Sequence, residues 1–536
     1  MPRPPHSLLF SALAAAALLS PAVSQSPDPG ILQVLYSEHD GIAQNQVPGM
    51  PGATLDDISM LRVSPAGVVA VQVRINNGGQ YLDALMVGDR VVLKDGDPLP
   101  WATSEMLHLI RDFAVNDAGK ILVSLESTGP AATSSYLVRE DAPGAWTVLA
   151  LEGDPLPGLP GKVFGTQYGA AIDSLDRAGL MSDGISGGVS SDEAITFNNT
   201  ILGQTGVDAP NGQLSGGNEV YAYFDSYFPL FVNADGSQWM SQAYLQGSGN
   251  EVLVVNDTVE IQAGYAIPGA STSLPVSVNG IRFSTFDRAG NWYAHGFFNP
   301  SSHYWAVQNG VDIARTGLAI HSGSTETWRS NTQFDLVAGN GTDYVVAGSA
   351  TDFLSHLVRN NSEILCSQLD DIDVDGNGAF DDSHVLQGFG SGYMTDDGSV
   401  IILARTRSLV TGRTYPSVVK YDNNPAPKLN VTNLVAGSAA TIEVAPVAEG
   451  NIVFSGYSLT GGGPTTLNFT PWGPLTLALT EPFELLPNMT ADATGSASMQ
   501  VNVPVIAIGL TVWMQALEDE GNGAYQLTNG FAGVVQ

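Results

Sequence analysis

The turn signal Val115-Asn-Asp-Ala-Gly-Lys-Ile-Leu-Val123 decides the fold of this chain. An apolar residue leads in, Asn116 opens a turn, Gly119 closes it, and Leu122 starts a new strand. Asn at the first turn position accepts a backbone hydrogen bond, and Gly takes a positive φ without a Cβ clash. The stretch therefore predicts a tight antiparallel hairpin.

Copies of this signal recur roughly every 50 to 60 residues, a period that matches one small antiparallel sheet per unit. The other copies are Ser64-Pro-Ala-Gly67, Asp176-Arg-Ala-Gly179, Asn233-Ala-Asp-Gly236, Asp287-Arg-Ala-Gly290, Ala338-Gly-Asn-Gly341 and Thr395-Asp-Asp-Gly398. Third and fourth apolar segments follow the hairpins, as at Tyr136-Leu-Val and Val148-Leu-Ala. Four strands per unit, repeated around an axis, are typical of β-propeller blades.

The two ends of the repeat region predict a closed ring. The last unit has its hairpin at Gly398 and a third strand at Ser417-Val-Val-Lys420, but no fourth strand follows. Ile31-Leu-Gln-Val-Leu-Tyr36, at the other end of the region, supplies the missing strand, and its distance from Gly67 fits the repeat. We therefore predict an all-β fold, a seven-bladed β-propeller closed by its N-terminal strand, because closure removes exposed sheet edges.

Both termini differ from the repeat region. Residues 1–24 combine Arg3, an apolar run and small residues before a cleavage site, which predicts a signal peptide. The propeller is predicted to span 25–424, and residues 425–427, Pro-Ala-Pro, form a linker. Alternating strands with glycine-rich turns over 428–536 predict a small C-terminal β-sandwich. We expect a secreted, periplasmic or cell-surface protein.

The charge balance argues against two classes of partner. The chain carries 20 Lys and Arg against 53 Asp and Glu, a net charge of −33. Such a surface repels nucleic acid and anionic lipid. No second long apolar segment follows the signal peptide, so we expect no membrane span, and we expect a monomer. Cys366, the one cysteine, is predicted to be a small hydrophobe in a strand rather than a reactive thiol.

The Asn-x-x-Gly frame with its following apolar or aromatic pair resembles the tandem repeat of a family of exported bacterial proteins named for an NxxGxxAF motif. Turns such as Gly153-Asp-Pro-Leu-Pro157 also resemble that family. The resemblance covers about residues 31 to 422, and pairs such as Leu122-Val123 replace the final Ala-Phe. It implies no activity, so no catalytic residue is carried over. The C-terminal part is similar to β modules at the ends of other exported bacterial proteins.

The acidic segment from Asp370 to Asp382 is the clearest chemical signal in the chain. Oxygen ligands at alternate positions of a loop turned by Gly suit Ca²⁺. The candidate ligands are Asp371, Asp373, Asp375, Asn377, Asp381 and Asp382. Two registers overlap, an EF-hand loop that ends on Asp382 and a shorter nine-residue loop that ends on Asp381. The shorter loop is favoured because it needs no flanking helices, and we predict a structural Ca²⁺ ion; the alternative is a solvated acidic turn.

No catalytic motif stands out. The chain has no Gly-x-Ser-x-Gly motif, and its histidines are scattered without metal-ligand spacing. Trp101, Trp146, Trp305 and Trp328 lie in less repetitive loops, where packing between blades is favoured over stacking on sugars. We predict a non-enzymatic binding protein whose propeller loops hold an extracellular glycan, protein or matrix partner. The alternatives are a carbohydrate-active or other hydrolytic enzyme with its site in the channel, and a structural envelope component.

Overall fold

The computed structural model describes residues 31–39, 42–131, 133–186, 192–226, 230–247, 250–270, 276–298, 303–330, 332–374, 382–423, 427–445, 447–448, 450–462, 465–469, 473–492, 495–521, 524–528 and 530–536. Within these ranges the chain forms antiparallel strands, two short 3₁₀ turns at Ala43–Asn45 and Val505–Ala507, and no α-helix. The prediction of an all-β protein is confirmed. The described residues contain no helix with the length and apolar character to cross a membrane. The predicted signal peptide, 1–24, lies outside the described residues.

In the described part of the chain up to Asp422, seven antiparallel sheets follow one another. Sheet 1 contains Thr54–Val63, Val69–Asn77, Gln80–Val87 and Arg90–Lys94. The first to fourth strands of sheet 2 are Ala102–Val115, Ile121–Ser127, Ser135–Ala142 and Ala145–Leu151, and the short Pro98–Leu99 pairs with Ala102–Val115 at the edge of the sheet. Sheet 3 contains Thr166–Ile172, Ala178–Asp183, Glu193–Phe197 and Thr200–Gln204. Sheet 4 contains a first strand in two pieces, Tyr221–Phe224 and Phe231–Val232, and then Trp239–Leu245, Glu251–Val255 and Thr258–Gln262.

The remaining three sheets repeat this order. Sheet 5 contains Val276–Phe286, Trp292–Phe298, Tyr304–Gln308 and Val311–Arg315. Sheet 6 contains Phe334–Gly339, Tyr344–Ser349, Ser355–Arg359 and Glu363–Ser367. Sheet 7 contains a first strand in two pieces, His384–Gly388 and Gly392–Met394, and then Val400–Ser408, Thr414–Asp422 and Ile31–Ser37.

The fourth strand of sheet 7 therefore comes from the N-terminal end of the described chain, and the predicted pairing is confirmed. It runs antiparallel to the third strand, with Leu32 opposite Tyr421 and Val34 opposite Val419. Leu32 and Val34 are buried in the same hydrophobic cluster as Val419 and Tyr421. The pairing covers backbone N–H and C=O groups that would otherwise form an exposed sheet edge.

The core up to Asp422 consists of hydrophobic clusters that each join two sheets. Leu122 and Val123 are adjacent in sheet 2 but belong to different clusters, one shared with sheet 3 and one shared with sheet 1. This follows because successive side chains of a strand face opposite sides. One cluster joins Ile401 and Val418 of sheet 7 to Val71 of sheet 1, so the last of the seven sheets packs against the first. The description of this arrangement as a seven-bladed propeller stays a prediction.

Most turn predictions are confirmed, and two need correction. The Gly119 amide donates to the carbonyl of Asn116 at 2.9 Å, and Gly119 has φ of 74°. In sheet 3 the predicted turn at Asp176-Arg-Ala-Gly179 is wrong, because Asp176 itself closes a turn from Asp173 with φ of 65°. Asp tolerates this left-handed conformation better than most residues do. Gly179 lies within the following strand, where a Cβ would approach Leu230 Cδ2 to 2.6 Å.

The turn predicted over 338–341 starts two residues later than expected. Asn340 opens it, because the Asn340 amide donates to the carbonyl of Asp343 at 3.0 Å. The Asn340 side chain accepts the amide of Asp343 at 2.8 Å, and Gly341 has φ of 95°. The turn therefore forms for the predicted reason, because an Asx side chain is followed by a residue with positive φ. Only its position in the sequence differs from the prediction.

The C-terminal segment forms further sheets. One contains Lys428–Thr432, Ala439–Ala445 and Ala497–Asn502. Another contains Ile452–Ser458, Phe483–Leu485, Met489–Thr490, Thr511–Gly521, Ala524–Leu527 and Phe531–Val534. Thr465–Phe469 and Gly473–Leu477 form a hairpin. Ile442 of the first sheet and Met514 of the second belong to one hydrophobic cluster, so the two sheets share a core. The β-sandwich and the domain boundaries stay predictions.

Candidate functional site

A cavity of about 120 Å³ is lined by residues from all seven sheets. We call it the central cavity. Its lining residues come from the first strand of each sheet and the turn after that strand, within 62–65, 112–117, 170–174, 230–234, 285–288, 339–340 and 393–396. A channel enzyme, the predicted alternative, would need its catalytic groups at this place.

An ion pair whose side chains are 17% and 12% exposed lies in the wall of the central cavity. Arg62 Nη2 of sheet 1 is 2.9 Å from Asp112 Oδ1 of sheet 2, and Arg62 Nη1 donates to the Tyr393 hydroxyl at 3.4 Å. Asp112 Oδ2 also accepts the amide of Ala170 at 3.1 Å. Burial opposes the charge on Arg62, but Tyr393 and Asp112 together raise the Arg62 pKa above its ordinary value. The pair therefore joins four sheets through fixed charges and hydrogen bonds.

A second charge network lies at the turn end of the central cavity. The Arg288 guanidinium of sheet 5 contacts Asp117 of sheet 2 at 2.5 Å and Asp396 of sheet 7 at 2.7 Å. Asp117 also accepts the amide of Ala66 at 2.9 Å, and the Asp396 amide donates to the carbonyl of Pro65 at 2.8 Å. These contacts link the turns of separate sheets to one another.

The charged side chains that line the central cavity stabilise contacts within the protein. Its described lining includes neither histidine nor cysteine. Its charged residues, Arg62, Asp112, Asp117, Asp287, Arg288 and Asp396, all take part in ion pairs or hydrogen bonds. Its volume lies below the roughly 300 to 1,000 Å³ of ordinary ligand sites. The carboxylates and guanidinium groups of the described lining are therefore already engaged in contacts within the protein.

A wider groove of about 790 Å³ lies between sheets 6 and 7. We call it the arginine groove. Its lining includes Asp335, Ser355, Gln387, Gly388, Phe389, Arg405, Arg407 and Thr414. Asp335 lies near the start of the first strand of sheet 6, and Gly339, at the end of that strand, lines the central cavity. The groove therefore lies at the end of the sheets that is opposite to the hairpin turns.

The arginine groove carries exposed positive charges, although the chain as a whole has a large negative net charge. Arg405 and Arg407 are exposed on the second strand of sheet 7, and Arg413 is exposed on the turn after it. The other described Lys and Arg side chains form ion pairs or, at Arg282 and Arg329, lie over aromatic rings. Within the described part of the chain, these three arginines have neither kind of partner. No motif in the sequence marks them as site residues.

Three neighbouring side chains complete the arginine groove. Gln387 Oε1 is buried and has no hydrogen-bond partner among the described residues. Phe389 is half-buried and packs against the cluster shared by sheets 6 and 7. Burial raises the pKa of Asp335 to about 7, so this carboxyl cancels only part of the arginine charge at neutral pH.

Two buried glutamates occupy equivalent positions in successive sheets. Glu193 begins the third strand of sheet 3, and its Oε2 accepts the amide of Phe224 in sheet 4 at 2.7 Å. Glu251 begins the third strand of sheet 4 and accepts the amide of Ile281 in sheet 5 at 3.3 Å. Burial raises the pKa of both carboxyls to about 7. No acid pair was predicted from the sequence, although Glu193 and Glu251 each directly precede a third apolar segment, Ala194-Ile-Thr and Val252-Leu-Val.

Replacing Glu251 by Gln is expected to make stability less dependent on pH. The folded-state pKa lies above the ordinary 4.5, so the folded chain binds more protons than the unfolded chain between pH 4.5 and 7. Glu251 therefore contributes stability that is fully present below pH 4.5 and is lost as the pH rises through 7, about 3 kcal/mol in all. Urea unfolding of wild type and Glu251→Gln at pH 4.5 and pH 8 measures this difference. The exposed Glu520→Gln is the control, and equal pH dependence in wild type and Glu251→Gln would contradict the prediction.

The predicted Ca²⁺ ligands are only partly described. Asp375, Asn377 and Asp381 lie outside the described residues. Asp371 is exposed, Asp373 is buried, and Asp382 Oδ2 accepts the amide of Val374 at 2.6 Å. Among the residues whose placement is described, no three His, Cys, Asp or Glu side chains are grouped to hold a metal ion. Ca²⁺ binding by this segment stays a prediction.

The tryptophans and the cysteine belong to the core. Trp146 lies on the fourth strand of sheet 2 and Trp305 on the third strand of sheet 5, so their predicted placement in loops is wrong. Their predicted packing role is confirmed, because Trp305 and Trp328 are 0% and 2% exposed and the Trp101 and Trp146 rings are 5.5 Å apart. Cys366 is buried in a strand as predicted, and burial raises its thiol pKa well above the ordinary value.

Comparison with known proteins gives only distant similarities. No protein-family model and no curated protein matches the chain. Prolyl oligopeptidase B from Galerina marginata is similar at a TM-score of 0.35 and 10% identity; the match covers 73% of this chain and 55% of the oligopeptidase, so this chain spans about half that protein's length. A tetra-tandem repeat from the extending region of a large adhesion protein reaches a TM-score of 0.15 and 9% identity, over 90% of this chain and 98% of the repeat. These TM-scores are too low to establish a shared fold or function.

Proposed function

We propose that this chain is an exported bacterial binding protein in which a seven-bladed β-propeller, 25–424, precedes a β-sandwich, 428–536. The seven sheets, the clusters that lead from sheet 7 back to sheet 1, and the central cavity lined by every first strand support the propeller. The shared core of the two C-terminal sheets supports the sandwich. Export rests on the sequence of residues 1–24.

The partner, an extracellular glycan, protein or matrix component, binds in the arginine groove and is not chemically converted. The observation that carries this proposal is a contrast in charge pairing. The two arginines of the central cavity form ion pairs with its aspartates, whereas Arg405 and Arg407 lie exposed in a groove of about 790 Å³. A groove of that volume is within the range of ligand sites, and exposed arginines offer directed hydrogen-bond donors.

A glycan array and a pull-down of extracellular material, each with the secreted protein, test the proposal. We expect a retained partner whose mass is unchanged after incubation. Gly388→Trp is the blocking variant, because a Cβ at Gly388 meets no atom within 4 Å and the added ring projects into open space at the groove. Val207→Trp is the matched control, since Val207 is 61% exposed and lies between sheets 3 and 4.

Gly388→Trp is expected to weaken binding by about tenfold or more, while Val207→Trp binds as the wild type does. Undiminished binding by Gly388→Trp would place the partner elsewhere. A glycan that is shortened by the wild-type protein would favour the hydrolytic alternative instead. No retained partner in either screen would contradict a binding function.

A further inference from the structure

We infer that the arginine groove recognises the acidic terminal residue of a glycan, with Arg405 and Arg407 holding its carboxylate. The inference rests on the proposed function and names the chemical class of the partner. It follows from the donors, the acceptor and the aromatic ring that line the groove, together with the charge of the surface around it.

The two arginines are placed to act together. Arg405 and Arg407 are two residues apart on one strand, so their side chains leave the same face of sheet 7, with Cα atoms about 7 Å apart. A guanidinium presents a planar fork of N–H donors that matches the two oxygens of a carboxylate. Arg413 lies on the adjacent turn, and the Ser408 amide donates to its carbonyl at 3.0 Å. Its positive charge adds to the potential at the edge of the groove.

The remaining groups favour a sugar over a simple anion. Thr414 lines the groove and is exposed, and its hydroxyl can both donate and accept a hydrogen bond. Carboxylate, sulfate and phosphate oxygens only accept hydrogen bonds when they are ionised, whereas sugar hydroxyls also donate. Phe389 adds a half-buried ring in the lining, and aromatic rings pack against the apolar faces of sugars. A polyhydroxylated acid satisfies all three kinds of group.

The overall charge favours a single acidic end rather than a long polyanion. The net charge of −33 means that a polyanionic chain running beyond the groove would meet carboxylates. Surface charges act over about 10 Å at 0.1 M ionic strength, which is comparable to the spacing of the arginines. A ligand with one terminal acid keeps its charge beside Arg405 and Arg407 and extends neutral sugars across the acidic surface.

Isothermal titration with three trisaccharides tests the inference. They end in glucuronate, galacturonate and sialate, and each is paired with its methyl ester, which removes the charge and adds one methyl group. At least one acid is expected to bind about tenfold more tightly than its own ester. Arg405→Gln/Arg407→Gln is expected to lower that affinity about 100-fold, because two charge-assisted contacts are lost. Arg74→Gln/Lys94→Gln removes the same charge from sheet 1 and is expected to bind as the wild type does.

Three results would overturn the inference: equal affinity for every acid and its ester, undiminished binding by Arg405→Gln/Arg407→Gln, or tighter binding of a peptide that ends in glutamate. Both arginines are exposed, so the thermal unfolding midpoint of the double variant is expected to equal that of the wild type. If Gly388→Trp still blocks a neutral partner from the screens while no acid binds, this inference fails and the proposed function stands.

Discussion

Replacing Arg62 by Met is expected to lower the free energy of unfolding by about 3 to 5 kcal/mol. The substitution leaves the Asp112 carboxylate, 8% exposed, without its cation in the wall of the central cavity. The amides of Phe113 and Ala170 still donate to Asp112, but two neutral donors compensate only part of the cost of a buried charge. The large effect therefore comes from the uncompensated carboxylate rather than from the lost attraction itself.

Urea unfolding at pH 7 measures this loss, and two further variants separate its causes. Arg74→Met removes an ion pair with Asp56 whose arginine is 46% exposed, and it is expected to cost less than about 1 kcal/mol. Arg62→Met/Asp112→Asn is expected to recover much of the loss, because a neutral Asn needs no counterion. If Arg62→Met cost no more than Arg74→Met, the pair would not be a buried contact between sheets.

Replacing Leu32 by Ala is expected to lower the free energy of unfolding by about 3 kcal/mol. Leu32 is 3% exposed and belongs to a cluster built from sheets 6 and 7, together with Leu336 and Val419. The loss combines the transfer of apolar surface with a cavity that surrounding strands fill only partly. It is large because the N-terminal strand is a full member of sheet 7 rather than a loose end.

The neighbouring residue on the same strand provides the control. Gln33 is half-buried and pairs by its backbone with Lys420, so Gln33→Ala is expected to change stability by about 0.5 kcal/mol or less. Chemical denaturation of the two variants compares them directly. Equal stability of Leu32→Ala and Gln33→Ala would mean that this strand does not complete the core between sheets 6 and 7.

Prediction from sequence succeeded where a few adjacent residues determine the local backbone conformation. Asn116 and Gly119 form the expected turn because Asx hydrogen bonding and positive φ are local properties. The same reasoning placed the N-terminal strand beside Val419, since a missing fourth strand leaves an open sheet edge. It failed at Gly179, because Asp176 adopts the conformation that was assigned to glycine and so shifts the turn.

The candidate site could not be found in that way. In the sequence, Arg405 and Arg407 are polar residues of a half-exposed strand. No neighbouring residue in the sequence distinguishes them from arginines that pair with carboxylates. Their environment includes Asp335, which belongs to sheet 6 and comes close only through the packing of two sheets. The burial that raises the pKa of Glu251 arises in the same way, from a contact with sheet 5.

Turn chemistry and the alternation of side chains along strands act over a few bonds, so the amino-acid order alone indicates the successive sets of strands. The pairing at sheet 7 joins residues far apart in the chain, and it was predictable because the repeat leaves one strand missing at one end of the region and one to spare at the other. Which charged side chains form ion pairs is decided only by the tertiary structure. Arg62 pairs with Asp112, while Arg405 has no carboxylate partner among the residues that the structure describes. Such contacts depend on distances of a few ångström between sheets, and these distances exist only once the sheets have packed.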